Sequence, residues 1–154
     1  MSIRLMMVDD HPVVRAGLRA LLEADAEVEV VADVGSGDEA LQALDRLMTT
    51  GEGAPDLVLM DVVLPGMNGF QATRALSRDS ATGAIPVLIV STKGMETDKA
   101  WGMRQGARGY LTKPFTEDEL GDVIKVVTFD GTPDGDWVIG VDELARLGRE
   151  LLAD

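Results

Sequence analysis

The chain has 154 residues, of which 45% are hydrophobic and none is cysteine, and its formal net charge at pH 7 is −13. This length and apolar content fit one globular domain, and the lack of cysteine excludes disulfides and thiolate metal sites. The acidic balance disfavours nucleic acid and anionic membrane surfaces and favours protein or cation partners. The N-terminal apolar run is too short for a signal peptide, and no stretch approaches a membrane span. We therefore expect a cytoplasmic protein without membrane insertion.

Five short apolar runs alternate with helix-like stretches along the chain. They cover residues 3–8, 27–34, 56–60, 85–90 and 108–112. Runs such as "VEVVADV" and "DLVLM" show little polar alternation, which is typical of strands covered on both faces. The alternation predicts a doubly wound α/β fold, in which a five-stranded parallel sheet has helices on both faces.

Three helix starts carry local signals. Pro12 suits a first helical position. The stretches "SGDE" (36–39) and "TEDE" (116–119) read as capping boxes ahead of apolar helical faces.

Polar side chains follow four of the predicted strands. Asp9 and Asp10 come after the first run, Asp61 after the third, Ser91 after the fourth and Lys113 after the fifth. Because sites in parallel α/β sheets form at the carboxyl ends of the strands, we expect these side chains to share one edge.

The three acids predict a site for a hard cation. Carboxylate oxygens suit Mg²⁺, and a divalent charge offsets the repulsion between the adjacent Asp9 and Asp10. Helix capping is the alternative role for that pair. His11, beside them, is interpreted as a helix-start residue and is not assigned to the site.

Asp61 is also a candidate nucleophile toward phosphorus. Pro65, Gly66 and Gly69 interrupt the chain after it, which leaves its carboxylate at an open loop. Phosphoryl transfer further needs a metal and groups that bind the developing charge. Lys113 offers a cation and Ser91 a hydroxyl for this purpose. The Lys113–Pro114 bond is a candidate cis bond, and Tyr110 is interpreted as sheet packing.

Four motifs occur in a characteristic order and spacing: "MMVDDHP", "LVLMDVVLPGMNG", "VLIVST" and "GYLTKPF". Together they resemble the response-regulator receiver domain of two-component signalling over residues 3–127. The resemblance implies a flavodoxin-like fold with strand order 2-1-3-4-5. It also raises the expectation that the Lys113–Pro114 bond is cis.

The resemblance also implies roles for the site residues. Asp61 accepts a phosphoryl group from a sensor histidine kinase, and Ser91 and Lys113 bind that group. Mg²⁺ is held by Asp10, Asp61 and the backbone carbonyl of Val63, with Asp9 acting through water. Tyr110 acts with Ser91 as a switch that moves inward.

A finer resemblance points in two directions. The stretch from "AIPVLIVST" to "GYLTKPF" is similar to the receivers of type IV pilus twitching-motility systems, whereas "DDHPVVRAGLRALLEAD" resembles NarL-type transcription regulators. The longer run favours the motility group.

Two positions depart from the family pattern. Val63 is aliphatic where some members carry an amide or another polar group, and Lys93 is basic where some carry an acid. Such side chains influence the water that hydrolyses an aspartyl-phosphate, so we expect slow self-dephosphorylation.

An enzymatic role is disfavoured. Phosphatases of the haloacid dehalogenase type also use an aspartate nucleophile with Mg²⁺, but they carry a second acid where this chain has Val63. The general acid/base is therefore missing, and we expect a phosphoacceptor signalling protein.

The receiver domain is predicted to span 1–128, followed by an acidic extension over 129–154 with an amphipathic helix over 141–153. This extension is too short for a helix-turn-helix domain with its own core, and its charge is wrong for binding phosphates. We therefore expect a stand-alone regulator that contacts a downstream protein target. The alternatives are a phosphate sink for a shared kinase and the receiver part of a NarL-type regulator that lacks its DNA-binding domain. The extension is predicted to dock on the domain as an extra helix or to serve a partner or a homodimer.

Overall fold

The computed structural model describes residues 3–128. The extension over 129–154 and its predicted helix over 141–153 lie outside the described residues. Strands and helices alternate throughout: β1 Ile3–Val8, α1 Pro12–Glu23, β2 Val28–Val34, α2 Gly37–Thr49, β3 Leu57–Met60, α3 Gly69–Arg78, β4 Val87–Ser91, α4 Glu96–Arg104, β5 Gly109–Thr112 and α5 Glu117–Thr128.

The strands form one parallel sheet in the order β2-β1-β3-β4-β5, which confirms the predicted order. Every residue of β3 and β4 is buried, because helices cover both faces of the central strands. This explains why their sequences read as continuous apolar runs.

β1 has the predicted bounds, and the other four strands differ from the predicted runs by one or two residues. β4 begins at Val87, after Pro86, which has no backbone N–H for a strand ladder. It ends on Ser91, one residue later than predicted, since Ser91 pairs with Thr112 of β5. The predicted site residue therefore closes the strand and does not follow it.

The predicted helix starts are confirmed, but only one half of each predicted capping box is formed. Helix α1 begins at Pro12. The hydroxyl of Ser36 accepts a hydrogen bond from the Glu39 N–H at 3.1 Å, and that of Thr116 accepts one from the Glu119 N–H at 3.0 Å. The glutamate half differs in both boxes. The Glu39 carboxylate accepts from the Gly35 N–H and not from that of Ser36, and the Glu119 carboxylate accepts from the Thr116 hydroxyl.

The helices complete the layers around the sheet. Helix α2 packs against α3, and α3 against α4, while α1 and α5 line a shared groove with the start of β1 and β2. Within residues 3–128, no helix is long and apolar enough to cross a membrane.

Helix α3 begins directly against the end of β3. Gly69 donates its N–H to the Val62 carbonyl at 2.9 Å, and Asn68 and Gln71 close a capping box around the first turn. A Cβ at Gly69 would collide with the carbonyl oxygen of Asp61 and lie 2.8 Å from the Val62 Cα. Position 69 therefore has no room for a side chain.

Replacing Gly69 by alanine is expected to destabilise the domain by about 1–3 kcal/mol or more, because the obstructing atoms are backbone and cannot rotate away. Urea denaturation followed by circular dichroism measures the change. Gly17→Ala is the matched control, since a Cβ there meets nothing within 4 Å. In the interior of α1, that substitution is expected to stabilise by up to about 1 kcal/mol. Equal midpoints for Gly69→Ala and the wild type would contradict the packing argument.

Candidate functional site

The two neighbouring strands β1 and β3 bring the acids together. Val8 and Met60 are register partners at the ends of these strands, and the Asp61 N–H donates to the Val8 carbonyl at 3.0 Å. Asp9 and Asp61 therefore leave the same edge of the sheet side by side, as the sequence predicts.

Four side chains form an acidic cluster at this edge: Asp9, Asp10, His11 and Asp61. Their ligand atoms all lie within 4.8 Å of one another. Asp9 and Asp61 are nearly buried, with 5% and 8% of their side chains exposed, whereas Asp10 is 35% exposed. The structure thus unites the three predicted acids.

His11 is the member of the acidic cluster that the sequence reasoning left out. It is the N-cap residue of α1, in keeping with its interpretation as a helix-start residue. Its Nδ1 nevertheless lies 3.0 Å from Asp9 Oδ1 and 3.2 Å from Asp10 Oδ1. The available signal was its place directly after two acids at a strand end.

Lys113 brings a positive charge to the cluster from the end of β5. Its Nζ lies 3.5 Å from Asp9 Oδ2, and its backbone N–H donates to the Ser91 carbonyl at 2.8 Å. The bond to Pro114 is cis, as predicted. Among residues 3–128, Lys113 is the lysine whose ammonium group faces the acids.

Burial changes the proton affinity of Asp61. Desolvation raises the pKa of its carboxyl above the ordinary value, and the negative charge of Asp9 adds to this. Lys113 and the backbone N–H groups of Val62 and Val63 lower the pKa and partly compensate. The Val62 N–H donates to Asp61 Oδ1 at 2.8 Å, so one carboxylate oxygen is engaged with the backbone.

Ser91, Lys93 and Tyr110 form a hydrogen-bonded link beside the cluster. The buried Ser91 hydroxyl accepts from the Lys93 N–H at 3.1 Å, and the Tyr110 hydroxyl donates to the Lys93 carbonyl. Tyr110 is only 1% exposed, and burial is the main cause that raises its pKa. The tyrosine ring therefore already points into the domain.

The backbone of Val63 lies close to Asp61, whereas the residue is largely exposed. Its backbone N–H lies close enough to the Asp61 carboxylate to lower the pKa of that group. Its aliphatic side chain is 54% exposed. The side chain thus faces solvent beside the candidate nucleophile.

Arg15 supports the site and was not predicted. Its Nη1 donates to the Asp9 carbonyl at 2.7 Å, and its Nε lies 3.3 Å from Asp33 Oδ1. Arg15 thereby connects α1 to the ends of β1 and β2. Its role depends on contacts between separate elements, for which the local sequence has no signal.

The donor set fits a hard divalent cation. Asp10 Oδ1 is buried and has no hydrogen-bond partner among residues 3–128, although His11 Nδ1 is nearby. A buried carboxylate oxygen without a partner is unfavourable, and oxygen ligands of this kind are those that Mg²⁺ takes. The residues present therefore suit a magnesium ion.

Removing the charge of Asp61 is expected to stabilise the metal-free domain at neutral pH. Its folded-state pKa is raised, so the ionised carboxylate opposes folding above that pKa and ceases to do so once it is protonated at lower pH. We expect Asp61→Asn to gain about 0.5–2 kcal/mol at pH 7 in the presence of a chelator. The gain should shrink as the pH falls toward the ordinary aspartate value of about 4.

Urea denaturation at the two pH values measures this difference. Asp56→Asn is the control, because Asp56 is an exposed acid that precedes the same strand and accepts a hydrogen bond from the Arg4 N–H. No gain is expected there. Stability of Asp61→Asn equal to or below that of the wild type at pH 7 would show that burial of the charge is not unfavourable.

Comparison with known proteins agrees with this architecture. The family model for the response regulator receiver domain matches residues 5–125. Protein PilH of Pseudomonas aeruginosa is 48% identical over 124 residues, which are 80% of this chain and 96% of PilH. Transcriptional regulatory protein LiaR of Bacillus subtilis is 34% identical over 146 residues, and the match spans 94% of this chain but 64% of LiaR.

A solved structure shows the same fold. It is the receiver domain of the sensor histidine kinase PA1611 from P. aeruginosa PAO1, with a magnesium ion coordinated in its active site cleft. The TM-score is 0.71 at 24% sequence identity, and the match covers 83% of this chain and 98% of that one. With its sheet order, its acidic edge and a family match over most of its length, the chain belongs to the response regulator receiver domain family.

Proposed function

We propose that this receiver domain accepts a phosphoryl group on Asp61 from a sensor histidine kinase, with Mg²⁺ as cofactor, and signals through contacts with a downstream protein. The observation that carries the proposal is the buried Asp61 carboxylate within the acidic cluster, on the edge that also holds Lys113. Receiver domains are phosphoacceptor modules that take their phosphate from histidine kinases.

Asp61 is placed to act as the nucleophile. Its Oδ1 accepts from the Val62 N–H, and the carboxylate oxygen that is not bound to the metal would attack phosphorus. The new P–O bond forms as the P–N bond of the donor phosphohistidine breaks, and the departing imidazole nitrogen keeps the electron pair and takes a proton from solvent. Asp61 must be ionised for this step.

The remaining cluster residues prepare the cofactor site. Asp10, Asp61 and the Val63 backbone carbonyl would hold the metal directly, and Asp9 would act through a water molecule. When bound, Mg²⁺ neutralises charge that develops on the phosphoryl oxygens. The buried Asp10 Oδ1 without a hydrogen bond and the magnesium in the related PA1611 receiver support this assignment.

Lys113 and Ser91 supply the contacts for the transferred group. The ammonium of Lys113, 3.5 Å from Asp9 Oδ2, would move its contact to a phosphoryl oxygen as a point charge. The Ser91 hydroxyl accepts from the Lys93 N–H, and its O–H would turn from Tyr110 to donate to a phosphoryl oxygen. These two residues would therefore bind the group after transfer.

Lys93 offers a route from the site to the protein surface. Its N–H contacts Ser91 and its carbonyl contacts Tyr110. A pull on the Ser91 hydroxyl would shift the backbone of Lys93 on both sides of its Cα and with it the Tyr110 hydroxyl, which would bias the conformation of the β4–α4 region. We infer that Ser91 and Tyr110 act as the switch in this way.

The cellular role that we propose is motility or chemotaxis-like control in the cytoplasm, such as type IV pilus twitching. The 48% identity to PilH over nearly its full length supports this over transcription control. The match to LiaR spans only part of that regulator, and the net charge of −13 disfavours binding to DNA.

Phosphorylation of Asp61 is testable with a small phosphodonor such as phosphoramidate in the presence of MgCl₂. We expect the intact mass to rise by one phosphoryl group in the wild type and not in Asp61→Asn, because the nucleophile is lost. Asp56→Asn removes an acid from the opposite end of the same strand and should be labelled normally. The double variant Asp9→Ala with Asp10→Ala should fold but fail to be labelled. Labelling of Asp61→Asn, or of the folded double variant, would refute the assignment.

The lifetime of the phosphorylated form tests the role of Val63. The exposed aliphatic side chain beside Asp61 cannot orient a hydrolytic water by hydrogen bonding. The phosphorylated wild type is therefore expected to lose its label more slowly than Val63→Asn. Val63→Ala, which also lacks a polar group, should decay like the wild type. Equal decay of the wild type and Val63→Asn in a chase without donor would contradict slow self-dephosphorylation.

A further inference from the structure

The imidazole of His11 lies among the carboxylates for a structural reason. The His11 N–H donates to Asp9 Oδ1 at 2.8 Å, and Pro12 restricts the chain at the first helical position. The ring makes no capping hydrogen bond to α1. The ring instead lies within hydrogen-bond distance of Asp9, with Nδ1 3.0 Å from Oδ1, and it does not cap the helix.

The distances between donor atoms suit a shared cation. A six-coordinate ion with bonds of about 2.1 Å has neighbouring ligand atoms about 3.0 Å apart and opposite ones about 4.2 Å apart. His11 Nδ1 lies 3.0 Å from Asp9 Oδ1, 3.2 Å from Asp10 Oδ1 and 4.0 Å from Asp61 Oδ2. The His11 nitrogen thus lies at ligand spacing from an oxygen of each of the three carboxylates, and all four ligand atoms lie within 4.8 Å of one another.

A nitrogen donor changes which metals the site prefers. Mg²⁺ takes oxygen ligands, and imidazole gains affinity for divalent ions along the series from Mn²⁺ through Co²⁺ and Ni²⁺ to Cu²⁺. The tautomer with its proton on Nε2 presents the Nδ1 lone pair to such an ion. The His11 side chain is 58% exposed, so the ring can adjust to the ion without disturbing the core.

We propose that His11 Nδ1 is a direct ligand for first-row transition-metal dications in the acidic cluster, and that it makes the pocket select these ions over Mg²⁺. The inference rests on the metal role in the proposed function and extends it to a second class of cation. Lys113, which contacts the other carboxylate oxygen of Asp9, is a cation that binds no metal, and it does not take part in this selection.

His11 is the one imidazole side chain in the sequence. The sequence has one histidine and no cysteine, so an imidazole nitrogen on a bound metal identifies His11 alone. His11→Asn is the variant of choice, because asparagine is a favourable N-cap residue and preserves the start of α1. Thermal unfolding of wild type and variant serves as the check on folding.

The experiment uses the untagged full chain. Titration calorimetry measures the affinities for Ni²⁺ and Mg²⁺, and electron spin-echo envelope modulation of the Cu²⁺-loaded protein detects nitrogen ligands. We expect imidazole modulation in the wild type and its loss in His11→Asn. The Ni²⁺ affinity of the variant should fall at least about tenfold, while its Mg²⁺ affinity stays near the wild-type value.

The remaining outcomes overturn the inference in distinguishable ways. Unchanged Ni²⁺ affinity or persistent imidazole modulation in His11→Asn would remove His11 as a ligand. Equal losses of Ni²⁺ and Mg²⁺ affinity would mean that the ring only positions the carboxylates. Wild-type protein that binds Mg²⁺ but not Ni²⁺ would overturn the selectivity and leave the proposed function intact. Protein that binds neither ion would contradict both.

Discussion

Repulsion among carboxylates held at one edge of a sheet is the constraint on which the site depends. Asp9, Asp10 and Asp61 share a small volume, and Lys113 is the ammonium that faces them in the described part of the chain. Ionised neighbours at this spacing oppose one another, most strongly where burial removes water. The arrangement persists because the strands that carry the acids are locked in the apolar core, where the residues of β3 are fully buried.

The same burial links stability to function. Asp61 is kept from water, which raises its pKa and disfavours its charge, yet the proposed attack on phosphorus needs that charge. In the proposed function, a bound cation would offset this cost by neutralising the cluster. Proteins commonly retain such unfavourable groups at functional sites and compensate for them through packing elsewhere.

Two kinds of contact surround the cluster: some fix the backbone that carries the acids, and others connect Ser91 and Tyr110 to Lys93. Arg15 and Gly69 hold the backbone around Asp9 and Asp61 from two helices, by a hydrogen bond and by close packing respectively. Ser91 and Tyr110 instead contact the backbone of one residue, Lys93, through its N–H and its carbonyl respectively. In the proposed function, phosphorylation of Asp61 would reach the β4–α4 region through these hydrogen bonds.

Local chemistry in the sequence determined the strands, the start of α1 and the two hydroxyl caps, Ser36 and Thr116, because periodicity and capping act over a few residues. It also determined that the acids share an edge, since the carboxyl ends of parallel strands meet there. The reach of the His11 ring, the bridge made by Arg15 and the exclusion of a side chain at Gly69 were decided by the tertiary structure. These depend on distances between atoms of different elements, which strand register and helix packing set and which no short stretch of sequence encodes.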